Sequence, residues 1–277
     1  MYDEITKIGH SIIQHGKHNN RIYLIRLSED DFPEIITKLH NLAVKHKYTK
    51  VFAKIPSYAK NTFEEHGYVV EAEIPGFYSN KANCYFMAKY FSKNRRIIEN
   101  NELISDVLET SYTKDSLEEI PPLNPDYNCN LCYPRDTSKI IALNKKVFKS
   151  YPYPIFNYDY VLNSMLNNFD YYGIWNKENL LAISGVETHL SDLNAKLSGF
   201  ATLPEYRGNN FSLYLIEKME KQMLKLGIKT LYSIIIANSY SINITFSKMG
   251  YTMTGLLINN SNIGGNFETM AVWYKKI

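Results

Sequence analysis

Arg207 and Gly208 stand in a turn between an apolar strand end, Phe200–Leu203, and an amphipathic segment that runs from Asn210 to Gly227. A helix starting there leaves its first backbone N–H groups without intrahelical acceptors, and its dipole favours negative charge at the same end. A strand–turn–helix of this kind is an anion cradle, most often for phosphate. Arg207 adds a cation, and Gly208 lets a ligand approach bare backbone. Cys129 and Cys132 form one C-x-x-C, but no second Cys or His pair accompanies it. Two strand cysteines are therefore expected there, and no metal site.

The cradle must be carried by a chain of 277 residues, enough for two domains. Hydrophobic residues at 45% and charged residues at 21% describe a folded globular protein. The net charge of +3 comes from 31 basic and 28 acidic residues, well mixed, which excludes a nucleic-acid footprint. No apolar run approaches the roughly 20 residues that cross a bilayer. The start MYDEITKIGHSI lacks a signal-peptide core, and three cysteines suit a reducing cytoplasm. A cytoplasmic location without a membrane partner is the expectation.

Periodicity predicts an α/β protein. Strands are expected at Arg21–Leu27, Lys50–Ile55, Tyr68–Ile74 and Tyr85–Phe91, with helices at Phe32–His46, capped by Asp30 or Asp31, and from Ser57 to Gly67. The charged stretch 92–125 ends in PPLNP, which places a domain boundary near residue 120: residues 1–120, then 121–277. Beyond it the reading is a strand at 127–133, helices at 136–148 and 158–168, and three antiparallel strands, 171–176, 179–187 and 195–203. The cradle helix follows, then an all-apolar strand 230–237, a helix 239–249 and two closing strands, 251–259 and 267–275. Phe63–Gly67–Tyr68 repeats as Phe246–Gly250–Tyr251, with an apolar strand at the same distance before each. The first part thus reads as a degenerate half-copy without a cradle, used for packing or for closing over a substrate.

The element order over 127–277, with the turn Arg207-Gly208-Asn209-Asn210-Phe211-Ser212, resembles the GCN5-related N-acetyltransferases, whose [QR]-x-x-G-x-[GA] turn holds the pyrophosphate of acetyl-CoA. Asn210 stands where Gly is usual and Ser212 where Gly or Ala is usual; Asn tolerates left-handed backbone angles. A narrower resemblance spans nearly the whole chain. KVFAKIP at 50–56, EAEIPGFY at 71–78, YPYPIF at 151–156, FATLPEYRG at 200–208 and LINNSNIGGNFETMAVWYK at 257–275 are similar to the β-lysine N6-acetyltransferases.

That resemblance implies a mixed, mostly antiparallel sheet flanked by helices, acetyl-CoA as cosubstrate and no metal. The product would be Nε-acetyl-β-lysine, a compatible solute, and the assembly a monomer or homodimer. Acetyl-CoA would lie against Ala201, Thr202, Leu203 and the cradle Arg207–Ser212, with Asn238 and Asn243 reaching it. Acetyl transfer needs a neutral amine, and removing the proton of an ε-amine of pKa ~10.4 at pH 7 costs roughly 4–5 kcal/mol. Glu187 is the expected base, with His189 as the weaker candidate. The Tyr that usually protonates the thiolate is replaced by Phe246, so Tyr240, a water or orientation alone must substitute. Tyr153 would wall the acceptor's aliphatic stem, and Asn259, Asn260, Asn262 and Glu268 would hold its polar ends, although Asn and Gly also simply make a hairpin turn. Acetylation of a polyamine, an aminoglycoside or a protein amine, and a non-catalytic CoA-binding role, remain open alternatives at this point.

Overall fold

Two sheets, built by the same order of elements used twice, make up the computed structural model, which describes residues 2–277. The first part holds β1 (Glu4–Ile8), β2 (Ser11–Gly16), β3 (Arg21–Arg26), α1 (Ile35–His46), β4 (Lys50–Pro56), α2 (Lys60–Glu65), β5 (Val69–Tyr78) and β6 (Ala82–Tyr90). After α3 (Asn101–Tyr112) come β7 (Asn128–Leu131), α4 (Thr137–Val147), α5 (Tyr158–Leu166), β8 (Phe169–Asn176), β9 (Asn179–His189) and β10 (Asn194–Thr202). The chain closes with α6 (Phe211–Lys225), β11 (Thr230–Ile236), α7 (Tyr240–Lys248), β12 (Thr252–Ile263) and β13 (Asn266–Lys276). Residues 127–277 therefore carry the predicted order, in an α/β fold of mixed sheets.

The sheet orders are β1-β2-β3-β4-β6-β5 and β12-β13-β11-β10-β9-β8-β7. Within each sheet one pair is parallel, β3 with β4 and β10 with β11, joined through α1 and α6; the other pairs are antiparallel. The F-x-x-x-G-Y repeat closes α2 and α7 identically. Gly67 and Gly250 take left-handed backbone angles, φ +81° and +75°. The following Tyr N–H bonds back to the Phe carbonyl, Tyr68 to Phe63 at 3.1 Å and Tyr251 to Phe246 at 3.0 Å. Each Tyr ring stands edge-on to its Phe at 4.8 Å. Glycine has no Cβ to clash there, and the returning bond satisfies a terminal helix carbonyl.

Apolar side chains form three layers. Ile36, Leu39 and Phe63 fill the space between α1, α2 and the first sheet. Tyr23, Phe52, Phe77 and Phe86 meet Tyr232, Leu257 and Val272 between the two sheets. Ile140, Ile216, Met219, Phe246 and Trp273 pack the second sheet against its helices. A buried ion pair fastens the layers together. Lys50 Nζ lies 2.9 Å from Glu71 Oε2, both side chains at most 3% exposed, and donates to the Ile258 carbonyl at 2.8 Å. Glu71 Oε1 accepts from the Ile258 N–H at 3.0 Å and from the Tyr90 hydroxyl. Gly255 allows β12 to cross β5 here, because a Cβ on it would fall 2.0 Å from the Glu71 carbonyl oxygen.

Several expectations need correction. β1 and β2 precede the first predicted strand. Asp31 does not cap α1: its Oδ2 accepts from the N–H groups of His10 and Ser11 and from the Ser11 hydroxyl, at 2.6–2.8 Å. Ser57 opens a short 3-10 turn, without a side-chain cap, before α2. The charged stretch after residue 92 contains α3, whose Ile104 and Leu108 join the core of the second sheet. β12 runs on to Ile263, so the closing turn is only Gly264-Gly265, and Asn259, Asn260 and Asn262 lie on β12 with Glu268 on β13.

Candidate active site

β10 leaves its parallel neighbour part-way along. It pairs with β11 only from Asn194–Leu197 to Thr230–Ser233. Just beyond, its register against β9 slips by one residue between Ser198 and Ala201, a bulge that contains Gly199 at φ +69°. The two central strands splay apart there, and the gap opens into a cavity of about 710 Å³. The cradle borders this cavity with every residue from Arg207 to Ser212, joined by Thr202. Gly208 sits at φ +88° with open space where a Cβ would stand, and Asn210 takes the left-handed turn at φ +56° that its side chain tolerates. Ala201 and Leu203 are buried instead, paired to β9.

A second cavity of about 470 Å³ lies between the sheets. Strand alternation sets its walls, since residues two apart share a face. Glu187 and His189 of β9, Lys196 and Ser198 of β10, and Tyr232 and Ile234 of β11 form the floor. Arg21, Tyr23 and Ile25 of β3, with Phe52 and Lys54 of β4, form the roof, and Tyr153 closes one side. The two cavities share Tyr151, Ser198, Gly199, Ile234, Ile263 and Met270, so they meet at the bulge.

The floor holds the groups that could move a proton. His189 Nε2 lies 3.6 Å from Glu187 Oε1. Burial pushes the His189 pKa below its ordinary value, against the pull of the Glu187 carboxylate, so the ring is neutral and able to accept a proton at neutral pH. Tyr151 stands at the junction, and burial raises its phenol well above the usual range, so it keeps its proton.

The structure thus brings Glu187, Tyr153 and Asn260 to one cavity and Thr202 with the cradle to the other. The remaining sequence candidates go elsewhere. Tyr240 is half-exposed and its hydroxyl bonds Asp106 of α3. Asn243 is fully buried; its amide donates to the Ile236 and Ser239 carbonyls, and its oxygen accepts from the Trp273 indole at 2.9 Å. Asn238 bonds Glu268 at 3.2 Å, and with Asn259 they line a separate cavity beside Arg95. Asn262 donates to the His18 carbonyl at 3.0 Å. Phe246 is a core ring, edge-on to Phe200 at 5.6 Å. Burial lifts the Cys129 thiol to about 11 and Cys132 to about 12, so neither is a thiolate at neutral pH. Sequence reasoning missed Arg21, Lys54 and Tyr151. The one available signal was a charge inside each of two apolar strands, RIYLIRL and KVFAKIP.

The chain is 36% identical over 274 residues to a β-lysine N6-acetyltransferase of Methanococcus maripaludis, covering 99% of this chain and 98% of that protein. The chain belongs to the β-lysine N6-acetyltransferase family. As an N-acetyltransferase it is also similar to the N-acetyltransferase YodP of Bacillus subtilis, at 29% identity over 96% of each chain. A second β-lysine N6-acetyltransferase, from Methanosarcina mazei, is 26% identical over 89% of this chain and 98% of that protein. No protein-family model matches the chain. Among solved structures, spermidine N-acetyltransferase from Vibrio cholerae overlays 55% of this acetyltransferase and 95% of its own chain, with a TM-score of 0.48 and 16% identity.

Proposed function

We propose that this enzyme transfers the acetyl group of acetyl-CoA to the N6 amine of β-lysine, making Nε-acetyl-β-lysine for use as a compatible solute. The observation that carries this reading is the meeting of two cavities at Gly199, one edged by an anion cradle and the other lying between the sheets. The residues present fit acetyl-CoA: unpaired N–H groups at the start of α6, Arg207 and the unobstructed Gly208 suit a pyrophosphate. Acetyl-CoA, held by the cradle residues Arg207–Ser212, would supply the acyl group as a thioester.

The chain's own side chains then divide the work. The floor orients the amine toward the bulge, and Glu187 with neutral His189 takes its proton. Tyr151 donates to the departing sulfur, the part for which Tyr240 is misplaced and Phe246 has no proton. In this reading residues 1–120 form the closing half-domain and residues 121–277 the catalytic one. No helix among the described residues is long and apolar enough to cross a membrane; a cytoplasmic location is part of the proposal.

A thiol-release assay with β-lysine, α-lysine and spermidine tests the assignment. β-Lysine should give the highest kcat/KM, and equal values for all three would defeat it. Arg207→Ala should weaken acetyl-CoA binding about 10-fold, the worth of one charge-assisted contact at ~1.5 kcal/mol, with kcat nearly unchanged; calorimetry reads this directly. Tyr151→Phe should lower kcat about 10- to 100-fold while leaving acetyl-CoA affinity intact, the signature of a proton donor. An unchanged kcat would remove Tyr151 from the mechanism.

A further inference from the structure

Arg21 is a buried cation with an incomplete set of partners. It is 3% exposed and projects from β3 into the roof of the inter-sheet cavity. Its Nη1 donates to the Asn260 carbonyl and lies 3.4 Å from the Ser261 hydroxyl, while its Nε is buried without any acceptor. No carboxylate forms an ion pair with it among the described residues. Its neighbours are the Tyr23 and Phe52 rings, each 5.6 Å away. Lys54, two strand positions beyond Phe52, lines the same cavity and forms no ion pair among the described residues.

Leaving a guanidinium buried with an unmet N–H is costly. Asn260 and Ser261 supply only neutral acceptors, and Asp3 and Glu71 attract the charge only from beyond ion-pair distance. The planar fork matches a carboxylate, which would take two parallel N–H bonds and neutralise the charge together. The acidic groups of the cavity sit across from it, Glu187 on the floor, where a ligand's ammonium belongs. The roof therefore offers only cations, Arg21 and Lys54, while the cavity's carboxylate, Glu187, lies on the floor beside His189 and Lys196.

We infer that Arg21, carried by the half without a cradle, binds the carboxylate of the acceptor and makes the enzyme selective for amino acids over plain di- and polyamines. This inference rests on the proposed acetyl transfer to β-lysine and names the residue that reads one end of that substrate. The roof then does more than exclude water. It checks that the amine presented to the acetyl group belongs to an amino acid.

The test is calorimetric binding to the full chain of β-lysine and of 1,4-diaminopentane, which is β-lysine without its carboxylate, for the wild type, Arg21→Gln and Arg21→Lys. The wild type should bind β-lysine about 100-fold more tightly than the diamine. Arg21→Gln should erase most of that ratio and Arg21→Lys should restore part of it. Equal wild-type affinities for the two ligands overturn the inference without recourse to any variant, and so does a ratio unaltered in Arg21→Gln. Acetyl-CoA binding by each variant, at a cradle remote from Arg21, reports whether it is folded. An Arg21-dependent ratio without thiol release would sink the proposed reaction while upholding the carboxylate site. Thiol release from β-lysine with no such ratio would do the reverse.

Discussion

Glu187→Gln is expected to lower kcat about 10²- to 10⁴-fold, the range of positioned acid–base catalysis, while leaving the KM for acetyl-CoA unchanged. The change removes the only carboxylate on the cavity floor and keeps the side chain's shape. His189, 3.6 Å away, is then the remaining acceptor. The two effects separate in a pH profile. Burial already depresses His189, and Glu187 opposes that depression. Without the carboxylate, the imidazolium loses its favourable neighbour and the His189 pKa falls further. A base works only when deprotonated, so activity is lost as pH drops through its pKa. The acidic limb of kcat/KM should therefore move to lower pH in Glu187→Gln, although the plateau is lower. A plateau equal to the wild type would show that Glu187 is not the base.

The second large effect concerns stability. Glu71→Ala should destabilise the protein by about 3–5 kcal/mol, the loss seen when one partner of a buried ion pair is removed. Four contacts end at that carboxylate: Lys50, the Tyr90 hydroxyl and the Ile258 N–H, with Lys50 reaching both of its oxygens. Burial has pulled the Lys50 ammonium down to about 8, with the attraction of Glu71 only partly offsetting it. The truncation strands that cation between two sheets with one carbonyl for a partner. At ~2–4 °C per kcal/mol, thermal melting should shift down by on the order of 10 °C. Replacing both partners, Lys50→Met with Glu71→Leu, should recover most of the loss, because a dry apolar pair has no desolvation to repay. A double variant as unstable as Glu71→Ala would mean that the pair holds the crossing by geometry and not by charge.

The second sheet and its cradle were legible because their signals are local. A turn with Arg207-Gly208, a helix stop at Gly227 and an apolar run at 230–237 each depend on neighbours within a few residues. The F-x-x-x-G-Y caps were legible for the same reason, since one Gly in a left-handed turn fixes the end of α2 and of α7. The acceptor cavity was not. Its roof and floor come from strands more than 120 positions apart, and only the stacking of the sheets brings Arg21 over Glu187. Asn259, Asn262 and Glu268 show the converse. Their composition suggested a polar turn, yet β12 extends through the two asparagines and β13 through the glutamate, and their side chains answer Arg95, His18 and Asn238. Asn243 was misplaced because a helix position cannot reveal from sequence that an indole N–H waits 2.9 Å away.

The repeated element order has a further consequence. In the proposed reading a chain with two such scaffolds needs only one CoA cradle, so the first scaffold is free for another duty. Here its strands β3 and β4 overhang the other copy's open face and contribute Arg21, Tyr23, Phe52 and Lys54. None of these four lines the cradle's cavity, and no cradle residue lines the cavity between the sheets. In that reading a substitution in the first half can change which amine is accepted while the second half keeps the same acyl donor.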